Sequence, residues 1–256
     1  MFSLADKITI VTGAGSGIGA AIAQAFATQG ALVYLADRDE STATHTLDLI
    51  LKTGGKAKVH RTDITSPQDC QSLVKTVLNE NHNRCDVLVN NAGIGHVGTI
   101  LNTTEEDLSS LWNVNLMGAY RLSQAVLPAM IDQGKGSIIN IGSIASYTGM
   151  ENRLAYVTTK HALLGLTRSI AMDLGASGVR INCICPGRVQ TPFVDARLRE
   201  YPNPDEYLKQ LSAPHTLKRM AQPSEIAAAA VYLASDASAF VTGSAMTVDG
   251  GYTAGK

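Results

Sequence analysis

Residues 152–160 read NRLAYVTTK. In a helix, Arg153, Tyr156 and Lys160 would stand at i−3, i and i+4 along one face. A phenol beside an ammonium can do proton chemistry. A free phenol ionises only near pH 10, and a neighbouring cation favours its ionised form. A phenol poised in this way serves as a general acid or base. Taken alone the spacing is weak. The chain has eight tyrosines, and a lysine four residues beyond one of them is an ordinary coincidence on a solvated helix face. Features elsewhere in the chain decide the matter.

The first is a glycine-rich turn, Thr12-Gly13-Ala14-Gly15-Ser16-Gly17-Ile18-Gly19. It follows a β-branched apolar run (7–12) and precedes helical spacing through Ile18, Ile22 and Phe26. Glycines let backbone approach a diphosphate, and the helix start offers free N–H groups with a partial positive charge. Such a turn is persuasive only between a strand and a helix, which is its setting here. The second is Asp37, at the end of the next strand and close to the offset expected of a ribose-binding acid. Its carboxylate would accept from both ribose hydroxyls and repel a 2′-phosphate. Arg38 beside it could accommodate that phosphate, but the carboxylate argues for NAD over NADP. The third is Ser143, whose hydroxyl could hold a substrate oxygen between the phenol and a nicotinamide ring.

The elements that must position these residues alternate. Strands are expected at 7–12, 31–36, 56–60, 87–93, 137–143, 179–187 and 245–251. Helices are expected at 17–29, 40–53, 67–80, 105–131, 154–176 and 223–234, the fourth kinked or ended by Pro128. Asn152 suits the N-cap of the helix carrying Tyr156. Continuous apolar strands alternating with helices imply an α/β fold, a Rossmann-type doubly wound parallel sheet with helices on both faces. Ligands of such sheets lie beyond the carboxyl ends of the strands. That brings Asp63-Ile64, at the adenine edge, and Asn90-Asn91-Ala92-Gly93 to one crevice. No composition break divides the 256 residues, so the chain reads as one catalytic domain. Six of the eight prolines fall between 186 and 223. Residues 188–218 are polar and weakly periodic, and a segment of that kind reads as a substrate lid.

Composition narrows the partners. Hydrophobic residues make up 45% and charged residues 17%, with a net charge of −1 and no basic block. Nothing there favours nucleic acid or an anionic membrane. The start, MFSLADKITIVTGAG, lacks the charged head and long apolar run of a signal peptide, and no run approaches the ~20 apolar residues of a membrane span. Cys70, Cys85, Cys183 and Cys185 match neither a metal site nor a disulfide framework. A cytoplasmic protein without metal is the expectation.

TGAGSGIG (12–19), Asp63, NNAG (90–93), Asn115, Ser143, YVTTK (156–160) and PGRVQTP (186–192), in this order, resemble the single-domain short-chain dehydrogenase/reductase family over nearly the whole chain. The resemblance implies an oxidoreductase interconverting a carbinol and a carbonyl. It implies Tyr156 as acid/base and Lys160 on the nicotinamide ribose, favouring the ionised phenol. It further implies Ser143 orienting the substrate oxygen and Asn115 holding a water in a proton relay. Pro186, Val189 and Thr191 would meet the carboxamide end of the cofactor. A homotetramer is implied, packed through the helices at 105–131 and 154–176.

GTILNTTEEDL (98–108), ENRLAYVTTK (151–160), the run 191–197 and VYLASDASAFVTG (231–243) look most like the cytosolic type 2 3-hydroxybutyrate dehydrogenases and related hydroxy-acid and deoxy-sugar-acid dehydrogenases. Arginines hold the substrate carboxylate in that branch. Two such positions fall on Arg153 and Arg197, and a third falls on Pro214, where this chain departs. The departure leaves open another small acid, or a polyhydroxylated one meeting His96, Gln190 or His215. Each of these three is otherwise an ordinary surface polar residue. The competing enzyme readings are a 3-oxoacyl-carrier-protein reductase and a neutral sugar or alcohol dehydrogenase. A cofactor-sensing scaffold is the non-enzymatic one, and the complete set Asn115, Ser143, Tyr156 and Lys160 speaks against it.

Overall fold

The computed structural model of the chain describes residues 2–192, 194 and 203–255. Seven strands form one sheet: β1 (Ile8–Thr12), β2 (Leu32–Asp37), β3 (Lys56–Arg61), β4 (Val87–Asn90), β5 (Gly136–Ile141), β6 (Val179–Pro186) and β7 (Ala245–Val248). Their order is β3-β2-β1-β4-β5-β6-β7, and every pairing is parallel. The order reverses between β1 and β4, which opens a crevice at the carboxyl ends of those strands.

Side-chain alternation divides each strand between two cores. Val11, Val33, Leu35, Val89 and Ile139 face α1 (Gly17–Thr28) and the helix Pro223–Ala234, meeting Ile22, Phe26, Ile226 and Leu233. Ile10, Tyr34, Leu88 and Ile138 face α3 (Pro67–Glu80) and α5 (Gly118–Asp132), meeting Leu73, Val77, Leu122 and Val126. Full burial of a side chain such as Phe26 contributes about 1.5–3 kcal/mol, so the two layers hold the sheet from both sides. α2 (Glu40–Lys52) starts at Asp39, whose side chain accepts from the N–H groups of Ser41 and Thr42.

One expectation needs correction. The helix expected over 105–131 is α4 (Glu105–Trp112), then one π-helical turn (Asn113–Met117), then α5. Pro128 neither ends nor splits it, because α5 runs through to Asp132. Pro128 deletes one backbone bond, while its neighbours Val126, Ala129 and Met130 are buried and keep that turn packed. The interruption comes earlier, at the π turn carrying Asn115. Within residues 188–218 there is regular structure. Val189 makes a parallel bridge to Ala221, and α7 (Pro204–Ser212) follows α6 (Leu154–Leu174) in the chain. Residues 193 and 195–202 of the expected lid, Arg197 among them, lie outside the described residues. The helix Pro223–Ala234 is α8. Among the described residues no helix is long and apolar enough to cross a membrane.

Candidate active site

The crevice at the β1/β4 reversal has a volume of about 660 Å³, within the usual range for a ligand site. Its floor is the glycine turn. Gly13 and Gly17 have φ of +61° and +54°, a backbone region that disfavours a Cβ. A Cβ on Gly13 would lie 2.9 Å from Asn91 Nδ2 and 3.0 Å from Ala92 Cα. On Gly19 it would strike the carbonyl oxygen of Gly13. No side chain caps α1, and its first turn has no acid. Its N–H groups therefore face the crevice with no counter-anion from the helix itself, which suits a diphosphate.

Thr12 ties this turn to the end of β4. Its hydroxyl oxygen accepts from the N–H groups of Asn91 (3.0 Å) and Ala92 (3.1 Å). Asn91 returns its amide to the carbonyls of Thr12 (2.9 Å) and Gly13 (3.2 Å). Sequence reasoning counted Thr12 only as part of the turn, since a cross-strand hydroxyl bond has no local signature. Asp37 stands at the far wall. One carboxylate oxygen accepts from Gly15 N–H (2.9 Å) and the other from Asp39 N–H (3.0 Å). The carboxylate is thus held in place with a lone pair left on each oxygen. Asp63 accepts from the Thr65 hydroxyl (2.7 Å) and N–H (2.9 Å) through one oxygen. These two bonds hold its carboxyl below the ordinary carboxylate range.

α6 carries the phenol and the ammonium expected to act in proton transfer. Tyr156 and Lys160 line the crevice together with Ser143, at the end of β5, and Arg153. Lys160 is 5% exposed, and its ammonium donates to the Ile141 carbonyl at 2.7 Å. It lies 5.7 Å from the centre of the Tyr156 ring. One of its three N–H bonds is used, which leaves two for a ligand. The Ser143 oxygen accepts from Ala145 N–H at 3.1 Å, and its own proton is free to be donated. Asn115 lies behind this group. Its Oδ1 accepts from Ile94 N–H (2.8 Å), while Nδ2 donates to the Ile94 carbonyl (3.0 Å) and to Thr159 Oγ1 (3.1 Å). The π turn is what aims this amide at the Gly93–Ile94 loop, and π-type turns recur at functional sites.

Asn152 is not the N-cap of α6. Its φ is +55°, whereas an N-cap is normally extended. Arg153 takes the cap position without a side-chain cap, and the carbonyl of Gly98 accepts from Leu154 N–H at 3.2 Å. Backbone thus replaces the expected amide cap. Arg153 does not simply extend into water, because its Nη1 donates to the His96 carbonyl at 3.1 Å. Of the sequence-predicted site residues, Gly13, Ser16, Gly17, Ile18, Asp37, Asp63, Ile64, Asn91, Ala92, Gly93, Ser143, Arg153, Tyr156, Lys160, Pro186, Val189 and Thr191 all line the crevice. Gly15 and Gly19 shape the turn beneath it, and Asn115 lies behind. His96, Gln190 and His215 are not on its walls. His96 sits 3.4 Å from the Asp107 carboxylate, and the Gln190 side chain accepts from Gln222 at 3.1 Å. Arg188, inside the quoted PGRVQTP run, does line the crevice. Sequence reasoning passed over it for its neighbours Val189 and Thr191.

His215 is 1% exposed and is no surface residue. Its Nε2 accepts from Arg188 N–H at 3.1 Å, which requires that nitrogen to be unprotonated. Burial holds its pKa below the ordinary 6.5, and the nearby Arg188 charge acts in the same direction. The unfolded chain therefore takes up this proton first as pH falls. The stability His215 contributes is complete above about pH 6.5 and is lost as pH drops through its lowered folded value. Urea unfolding from pH 7.5 down to 5 is expected to show a declining midpoint below 6.5, this group adding no more than about 1.4 kcal/mol per pH unit. His215→Gln, which keeps an acceptor that does not titrate, is expected to flatten that slope. An unchanged slope would remove His215 from the account.

Comparison with known proteins decides the lineage. A sequence model described as enoyl-(acyl carrier protein) reductase matches residues 13–253. A Xenopus laevis protein named dehydrogenase/reductase SDR family member 6 is 41% identical over 99% of this chain and 100% of its own. The chain belongs to the short-chain dehydrogenase/reductase family. A Thermotoga maritima oxidoreductase is likewise 41% identical, over 97% of this chain and 98% of its own. Among solved structures, a candidate NAD(P)-dependent gluconate 5-dehydrogenase from Beutenbergia cavernae, with NADP bound at low occupancy, superposes with a TM-score of 0.91. It is 36% identical and covers 99% of both chains. As a short-chain dehydrogenase/reductase, this chain is an oxidoreductase acting on CH–OH groups.

Proposed function

We propose that the whole chain is one catalytic unit, an NAD-dependent dehydrogenase oxidising a secondary hydroxyl of a small carboxylic acid. The observation that carries this reading is the meeting of Tyr156, Lys160, Ser143 and Arg153 on one crevice wall, with Asp37 at its other end. Gly13–Gly19 and the start of α1 would hold the diphosphate, Asp37 the adenosine ribose, and Lys160 the nicotinamide ribose. When bound, the nicotinamide takes up the hydride lost from the carbinol carbon. The carbinol proton goes to the Tyr156 oxygen as the C=O bond forms. Ser143 donates its hydroxyl proton to the same substrate oxygen and so fixes its position. Lys160, buried and pinned by Ile141, keeps a positive charge beside the phenol while the negative charge passes through it. Asn115 retains a lone pair on Oδ1, which supports its reading as the holder of a relay water.

The preference for NAD rests on Asp37. The Beutenbergia cavernae relative carries NADP, and Arg38 also lines this crevice. A carboxylate already anchored by two backbone N–H groups cannot swing away from an incoming 2′-phosphate without losing both bonds. Exposed Trp112, Tyr120 and Met172, on α4, α5 and α6, support assembly into a homotetramer through those helices.

Steady-state assays with NAD over a panel of hydroxy acids, neutral alcohols and uncharged sugars test the substrate class. The acids are expected to win. Arg153→Met is expected to raise KM for the best acid about 10- to 100-fold, the loss of a charged hydrogen bond being about 1.5–3 kcal/mol. A better neutral substrate, with a KM indifferent to Arg153→Met, would sink the carboxylate reading.

A further inference from the structure

A second cavity of about 510 Å³ adjoins the crevice. Its walls include Val97, Asn152 and Tyr252, and three residues line both spaces: Met150, Arg153 and Arg188. The two arginines therefore stand at the junction. Their situations differ. The Arg153 guanidinium is tethered to the His96 carbonyl. Arg188 is held through its backbone, its N–H donating to His215 and its carbonyl accepting from Ala221 N–H at 2.9 Å. The Arg188 Nε is nevertheless buried and has no hydrogen-bond partner. A buried donor on a permanent cation without an acceptor calls for an explanation, and a rigid backbone below it means that little freedom is lost when an acceptor arrives.

We propose that Arg188 is a substrate-binding residue that closes on a carboxylate together with Arg153 at this junction. The inference rests on the hydroxy-acid reading above and adds its second cation, from the strand-end run 186–189 rather than from the segment around Arg197. A planar carboxylate suits the paired N–H donors of a guanidinium, and the open donor here is Arg188 Nε, with the Arg153 charge beside it. The anion stops at the junction because Glu151, an exposed carboxylate on the wall of the second cavity, repels it from going farther. The alternative anion is the cofactor diphosphate. The residues that frame that group and the adenosine ribose, Gly13, Ser16, Gly17 and Asp37, line the crevice and not the second cavity. Arg188 lies on the substrate side with Arg153.

The test is calorimetric titration of the protein saturated with NADH, which cannot oxidise an added alcohol, with 3-hydroxybutyrate, with gluconate and with the uncharged polyol sorbitol. Wild type, Arg188→Gln and Arg188→Lys are compared, and NAD affinity is measured for each. Wild type is expected to bind at least one acid tenfold or more tighter than sorbitol. Arg188→Gln is expected to erase that margin with NAD affinity unchanged. Arg188→Lys, which restores the charge without the planar fork, is expected to recover part of it. If wild type shows no acid preference at all, the hydroxy-acid reading falls and this inference falls with it. If wild type prefers an acid and Arg188→Gln binds it equally well, the inference alone is overturned. A tenfold loss of NAD affinity in Arg188→Gln with the acid preference intact assigns the residue to the diphosphate, and overturns it too.

Discussion

Tyr156→Phe is expected to lower kcat about 100- to 10,000-fold, the span that a positioned general acid or base contributes. The substitution removes one oxygen and leaves the ring, which is half-buried between α6 and the crevice. Cofactor binding should survive, because Lys160 keeps its bond to Ile141 and its place below the crevice. NADH fluorescence on binding would therefore match wild type within about twofold, an energy difference well under 1 kcal/mol, while turnover collapses. Ser143 would still hold the substrate oxygen, so KM should move far less than kcat. A variant retaining a tenth or more of wild-type kcat would remove Tyr156 from the proton-transfer role. The crevice would then need another base, and no other tyrosine or histidine lines it among the described residues.

The second large effect concerns cofactor choice. Asp37→Ala is expected to cut kcat/KM for NAD about 10- to 100-fold, the worth of charged hydrogen bonds of about 1.5–3 kcal/mol. The same change is expected to raise kcat/KM for NADP, because the repelling carboxylate is gone and Arg38 remains on that wall. The preference would then reverse. Two backbone N–H groups, of Gly15 and Asp39, would also lose their acceptor. Thermal unfolding should be followed in parallel, to separate lost stability from lost recognition. If wild type already prefers NADP tenfold, the reading of Asp37 fails at once and the case for a 3-oxoacyl-carrier-protein reductase revives.

Most of the crevice was legible because its residues act through backbone and local order. A glycine turn between a strand and a helix has few meanings, and the offset of Asp37 from that turn is set by the lengths of one helix and one strand. The residues whose structural roles were not legible act across the fold. Thr12 works through a partner on β4, and His215 through Arg188. The π turn at Asn113–Met117 has no residue-type signature of its own. One inserted residue turns the downstream face by about 100°, and which face is buried is known only once the neighbouring elements are in place. Pro128 carried the opposite lesson. Its local rule was sound, yet packing around Val126, Ala129 and Met130 kept the helix whole.

The sequence by itself determined the lineage, the parallel sheet and the residues fit to move a proton, since each depends on residue type at short, fixed spacing. Only the tertiary structure decided which cations stand together at the crevice. Arg153 and Arg188 are separated along the chain by all of α6 and all of β6, and come together because β6 returns parallel to β5 and ends at the same edge of the sheet, where the start of α6 also lies. Whether a surface arginine is solvated or waiting for an anion depends on what lies opposite it. That is a property of the folded chain, and spacing along the sequence does not carry it.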